Sequence, residues 1–452
     1  MRKKITFLII SQIHIRNYIS TNALDFISMK HDCQFIVLDG LDLPKQFQAK
    51  HSIERITKIP FRNHWRLFEF LMFEKRSVST TFRFRIKRLY FPNLANGEST
   101  LWGGVKNVLR RIKLFLIWLV YLFSTLPGIS PLVLALLKAR LERSEELEKK
   151  TLQHNPDIIV LPSSAYDPIG MEMVRIARKI QSKTMMIIDN WDNLSSKSVM
   201  YDLPDFLSVW GQQSIEHAVS IQGMPPERIF TLGTPRFDGY FKLRDQQLPN
   251  CFEFRYLLFV GTALEFDERG ALEALDECIS TNSALRGMKI VYRPHPWRQS
   301  KRKFVIDDLS NVLLDPQVEA AFQQGDKSQQ PDLAYYPSLL QNAEAVVGGM
   351  TTMLIEALIM RTPYMALIWD DPDCITNMRE VFSNYMHFRG TENLEALVFS
   401  KSSTDLPALL DELCRLKGKM DPGKLDDELS YFYDLQDKDF PQRFDSIISK
   451  IL

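Results

Sequence analysis

The sequence predicts an α/β protein made of two doubly wound, Rossmann-like domains. Three observations lead there. The chain has 452 residues, too many for one hydrophobic core, so it divides into at least two domains. Short apolar runs recur, each ending in glycine or polar residues and each followed by helical periodicity. That is the pattern of buried parallel strands joined by helices. The series then restarts near residue 255, after the polar stretch "DQQLPNC" (245–251).

Ile5–Ile10 is the first expected strand. The basic "MRKK" before it imitates a secretory leader, but the apolar run is short and His14 and Arg16 follow it, so a strand is the better reading. A helix is expected to begin near Arg16, and "CQFIVLDG" (33–40) is the second strand. From 61 to 113 the composition changes: twelve Lys/Arg stand against Glu69, Glu74 and Glu98, a net of about +9, with aromatics interleaved. The 24 uncharged residues 114–137 come next, broken by Pro127-Gly128. Leu114–Leu126 falls short of the roughly 20 residues that span a bilayer. Three readings stay open for 114–137: two buried helices about a turn, a hairpin or helix lying in a membrane surface, or a kinked span. Basic residues with aromatics also suit nucleic acid, but the neighbouring apolar run points to an anionic lipid surface instead.

Beyond it, "ARLERSEELEKK" (139–150) is a solvated helix. Strands follow at 156–162, 183–188 and 204–210, with helices between them. "RYLLFVGT" (255–262), "KIVYRPHP" (289–296), "NVLLD" (311–315), "AEAVVGG" (343–349) and "TPYMALI" (362–368) open the second series. The last residues form an amphipathic helix. The expected domains are 1–240, with the helical insert 61–150, then 241–430, and then a terminal helix, 431–452, returning to the first.

Hydrophobic residues make up 45% and charged residues 25%, as in an ordinary globular protein. Lys and Arg number 56 and Asp and Glu 55, so only the distribution of charge is informative. The five cysteines, at 33, 251, 278, 374 and 414, form no CxxC and no Cys/His cluster. That disfavours a disulfide framework or a zinc site and suits a reducing, cytoplasmic setting.

In open parallel sheets ligands bind at the carboxyl ends of the strands. In the second half those ends carry Gly261-Thr262, Arg293 and His295, and Gly348-Gly349 with Thr351-Thr352. Glycine admits a ligand close to the backbone, hydroxyls and helix-start N–H groups suit phosphate, and Glu356 lies four residues past Thr352, placed to accept from ribose hydroxyls. Two prolines stiffen the loop of Arg293, a bidentate phosphate ligand. Arg236 and Asp238 either pair with each other or face a cleft. In the first half the strand ends carry His14, Ser163-Ser164 with Asp167, and "DNWDN" (189–193). His14, Asp189 and Asp192 are candidate bases toward an acceptor hydroxyl. Asn190 and Asn193 suit sugar hydroxyls, and Trp191 offers a stacking platform. A P-loop, a GxSxG and a GxGxxG after the first strand are all missing, and "WDDPD" (369–373) is a poor metal site, so no metal or cofactor is expected.

Together "LGTPRFDGY", "YRPHP" and "VVGGMTTMLIEALIMRTP" resemble the bacterial surface-carbohydrate GT-B transferases, a group that includes the CDP-glycerol glycerophosphotransferases. The likeness covers roughly 155–370. It implies a GT-B-like fold with two Rossmann-like domains facing across a cleft, the first binding acceptor and the second the donor. It implies that Arg293, His295, Thr351, Thr352 and Glu356 hold a UDP-, CMP- or CDP-linked donor without metal. The acceptor would be a glycan or a lipid-linked one, met at the inner face of the cytoplasmic membrane. A CDP-polyol phosphotransferase, a nucleotide-sugar epimerase and a non-catalytic scaffold are the alternatives.

Overall fold

The computed structural model describes residues 2–58, 68–69, 71–72, 126, 128–141, 143–163, 168–197, 200–264, 266–295, 306–323, 335–370, 378–435 and 439–452, with scattered positions between 108 and 122. The basic part of the insert, together with Ser164, Asp167 and positions 371–373, lies outside them. The chain forms two compact units, Met1–Pro235 with Gln436–Leu452, and Arg236–Leu435.

The first unit holds a seven-stranded parallel sheet. Its strands are β1 (Lys4–Ile9), β2 (Asp32–Leu38), β3 (Ser52–Ile56), β4 (Ile158–Pro162), β5 (Lys183–Ile187), β6 (Phe206–Val209) and β7 (Ile229–Thr231), in the order β3-β2-β1-β4-β5-β6-β7. The central strand β1 is apolar on both faces because both are covered. Leu8 packs with Ile36, Ile159 and Met186 on one side. Ile5, Phe7 and Ile9 pack with Phe35, Val37 and Val160 on the other. The terminal helix Phe440–Ile451 completes that second layer. Phe444 lies 5.9 Å from Phe7 and Phe440 lies 5.9 Å from Tyr18, ring centre to ring centre. Asp445 fastens the helix rim through Lys30 and His31, at 2.7 and 3.1 Å.

The second unit holds six parallel strands: β8 (Tyr256–Val260), β9 (Lys289–Arg293), β10 (Val312–Leu314), β11 (Ala345–Gly348), β12 (Tyr364–Leu367) and β13 (Leu397–Ser400). Their order is β10-β9-β8-β11-β12-β13. Both sheets therefore run outward from a central pair, β1/β4 and β8/β11, where the direction of winding reverses. Doubly wound sheets bind ligands at that reversal.

Where the sequence predicts a helix from about Arg16, the chain instead makes a short turn, Gln12–His14, and a wide turn of π type, Ile15–Ile19, before the helix Ala23–Lys30. Among the described residues, no helix is long and apolar enough to cross a membrane.

Candidate functional site

In the first unit, three strand exits meet in one buried polar cluster. Ser11, two residues past β1, accepts from the His14 backbone N–H, which fixes the turn. The Ile10 N–H donates to His14 Nδ1 at 3.2 Å. His14 Nε2 lies 3.1 Å from Asp189 Oδ2 past the end of β5, with both side chains fully buried. Tyr18, one turn beyond His14, donates to the other Asp189 oxygen at 2.5 Å. After β4, the Ser163 hydroxyl accepts from the Asp189 N–H and from the Asn193 side-chain amide.

This geometry separates the three candidate bases. His14 Nδ1 already accepts a hydrogen bond, so the ring proton sits on Nε2, facing Asp189. No imidazole lone pair is left for an acceptor proton. Asp189 takes the Tyr18 hydroxyl on one oxygen and faces the His14 ring at 3.1 Å with the other. Asp192 differs in exposure: its side chain is 18% exposed and Lys197 sits 2.5 Å from Oδ2, while its Oδ1, like Asp189 Oδ2, is buried and meets no hydrogen-bond partner among the described residues. Trp191 is buried, and its indole N–H donates to Gln213 at 2.7 Å. It therefore supports the loop from beneath rather than presenting a face to a ligand. Asn193 is buried with it, whereas Asn190 is part-exposed.

In the second unit, the exits of β8, β9 and β11 converge as the loop positions predict. The Gly261 N–H donates to the Arg293 carbonyl at 2.8 Å. A Cβ at Gly261 would sit 2.6 Å from the His295 nitrogen. At Gly348 it would sit 2.4 Å from the Val260 carbonyl oxygen, and at Gly349 2.6 Å from the Thr262 methyl. These three glycines are thus required by loop packing against loop, where the sequence suggests room for a ligand. Buried Glu268 organises the floor: it accepts from the Thr262 N–H at 3.0 Å and from the Tyr292 hydroxyl at 2.5 Å. Tyr364 donates to the Gly349 carbonyl at 2.6 Å.

Two residues expected on the ligand have buried protein partners. Arg293 donates to Asp315 at 2.5 Å and to Gln317 at 2.8 Å, with its guanidinium 4.6 Å from the centre of the Tyr336 ring. Glu356, 3% exposed, takes a hydrogen bond from Tyr240 at 2.9 Å and lies 3.2 Å from the Arg236 guanidinium. Burial, then the neighbouring Glu356 charge, holds the Tyr240 hydroxyl well above its ordinary pKa, so it stays a donor. The open question about Arg236 is answered by this pair: its carboxylate is Glu356. His295, Thr351 and Thr352 remain part-exposed. The Thr351 hydroxyl accepts from the Met353 N–H at 3.2 Å, and the Thr352 hydroxyl makes no cap bond to the short helix Met353–Ile359.

Sequence reasoning missed Tyr18, Glu268, Asp315 and Tyr240. Their partners are distant in the chain, and no spacing marks them. Asp370 of "WDDPD" pairs with Arg379 at 2.5 Å. No three His, Cys, Asp or Glu cluster as a metal site among the described residues.

No known protein family's profile matches the chain, and no curated protein matches it. Solved structures do. The glycosyltransferase of kitacinnamycin aligns over 100% of this chain and 99% of its own, at 9% identity and a TM-score of 0.52. The UDP-GlcNAc 2-epimerase from Methanocaldococcus jannaschii aligns over 99% of each chain, at 12% and 0.51. A glycosyltransferase from Rickettsia africae aligns over 99% of this chain and 98% of its own, at 9% and 0.50. The chain has the GT-B fold. At these identities the likeness is one of architecture.

Two measurements check the energetics of this GT-B second unit. Gly348→Ala forces a methyl against backbone, so it should destabilise by about 1–3 kcal/mol. Gly239→Ala meets nothing within 4 Å and should be neutral or mildly stabilising; equal melting temperatures for the two would refute the packing argument. Arg236→Met strands a buried carboxylate and should cost roughly 3–5 kcal/mol. The double change Arg236→Met/Glu356→Leu should recover most of that loss in chemical denaturation, and additive losses would show that the pair is not coupled.

Proposed function

We propose that the protein is a glycosyltransferase that moves a sugar from a nucleotide-linked donor to a growing surface glycan. The observation that carries this reading is the convergence of the β8, β9 and β11 exits, at the reversal point of the second sheet, on part-exposed His295, Thr351 and Thr352. Those groups are donors suited to a diphosphate, on a GT-B framework. In this reading the second unit holds the nucleotide and the first supplies the base. Asp192 is that base, because of the three candidates it alone is part-exposed, 18% against 0% for His14 and Asp189. His14 and Asp189 hold the loop that carries it. The leaving diphosphate is stabilised by hydroxyl, imidazole and backbone N–H donors, without a metal.

CMP, CDP, UDP, GDP and dTDP should be screened by thermal shift. A nucleotide at 100 times its dissociation constant stabilises by about 2.7 kcal/mol, and His295→Ala should abolish the shift. Asp192→Asn should keep the shift but lower kcat by about 10²–10⁴-fold, the usual contribution of a general base. If no nucleotide stabilises the protein, the donor site does not exist. If a donor sugar changes configuration without any acceptor, the reaction is epimerisation. Release of the nucleoside monophosphate with transfer of a polyol phosphate would instead identify the phosphotransferase.

A further inference from the structure

The apolar insert takes no part in the site described above. Its helix Ile129–Ala139 has two apolar sides. Leu134 is buried with Phe68, Leu71, Met72 and Leu141 in a small satellite core. Leu132 and Leu136, one turn apart, are 62% and 55% exposed. Before it, the described positions Leu109, Ile112, Leu116 and Leu119 are 61%, 52%, 55% and 42% exposed. Scattered exposed leucines are ordinary, but these six large apolar side chains more than 40% exposed within 28 residues of chain are not.

Charge indicates what covers them. Residues 236–435 hold 21 basic and 31 acidic residues, a net of −10. The chain as a whole is +1, so the first unit carries +11, of which 61–113 supplies +9. No acidic residue occurs between Glu98 and Glu142, while Lys106, Arg110, Arg111 and Lys113 are interleaved with the exposed apolar positions. Apolar side chains inside a basic sequence match the interface of an anionic bilayer, whose acyl region takes the leucines and whose headgroups take the cations. The helix Ile129–Ala139 has 11 residues, against the roughly 20 needed to span, a length that suits lying in an interface but not crossing it.

We propose that Leu109, Ile112, Leu116, Leu119, Leu132 and Leu136 form a docking surface for an anionic phospholipid membrane, bound in the plane of the interface. The readout is independent of turnover, so its failure and that of the transferase reading are separable.

The full chain should be floated with vesicles of phosphatidylcholine alone and of equal phosphatidylcholine and phosphatidylglycerol, at low and high salt. Wild type is expected to bind the anionic vesicles at least tenfold more tightly, with partial loss at high salt as the charges are screened. Leu132→Glu/Leu136→Glu and, separately, Leu116→Glu/Leu119→Glu should each weaken binding at least tenfold while keeping the wild-type melting temperature. Wild type alone decides the matter if a variant fails to fold: absence of binding to anionic vesicles overturns the proposal. So does equal binding to both vesicle types, or wild-type binding by well-folded variants. A stable dimer by light scattering that the same substitutions dissociate would assign the surface to a second copy and overturn it too.

Discussion

All-parallel pairing is the constraint on which the rest depends. It delivers every strand of a sheet to the same edge, and the central strands are buried on both faces. Their polar exits therefore leave a dry interior and need partners inside the protein. Carboxylates supply these partners. Asp189 holds Tyr18 and His14 across the exits of β1 and β5. Glu268 holds Thr262 and Tyr292. Asp315 holds Arg293, and Glu356 holds Tyr240 and Arg236. Each acid ties together two segments remote from one another in sequence, so the loop positions are set before any ligand arrives.

That arrangement changes which groups remain for chemistry. A buried guanidinium with a buried carboxylate at 2.5 Å is not a spare phosphate ligand, because a phosphate must compete with a partner already desolvated. Arg293 thus contributes by fixing the β9 exit that carries His295. In the proposed donor site, recognition falls to hydroxyls, an imidazole and backbone N–H groups, each neutral donor being worth about 0.5–1.5 kcal/mol net. Several must act together, and the convergence of three loops provides that. In the proposed function, such a site holds its nucleotide by geometry more than by net charge.

The strands were legible because strands buried on both faces read as unbroken apolar runs, such as "TFLII" and "YLLFV". The edge strands β3, "SIERI", and β13, "LVFS", were not, since each is only partly covered and mixes polar with apolar residues. The β1 exit was misread as a helix because Ile15, Tyr18 and Ile19 have helical spacing. Tertiary demand overrode it: His14 and Tyr18 both reach Asp189, 171 residues beyond Tyr18. "DNWDN" was recognised as a site loop, but the division of labour within it was hidden. Trp191 has a buried amide partner, Gln213, 22 residues on, and nothing local distinguishes a supporting indole from a presented one.

The distribution of charge links the two halves of the argument. The second unit, proposed to hold an anionic nucleotide, is itself net −10. Long-range fields do not steer a diphosphate to it, so attraction must come from charges within about 8–10 Å, the screening length at ordinary salt. The sequence after His295 is "PWRQSKRK", with Arg298, Lys301, Arg302 and Lys303 inside eight residues of the imidazole. In the sequence, positive charge is thus concentrated next to the proposed donor loop while the unit as a whole stays acidic. The same acidity has a second effect. In the proposed docking, an anionic membrane attracts the +11 unit and repels the −10 unit, which favours contact through the insert.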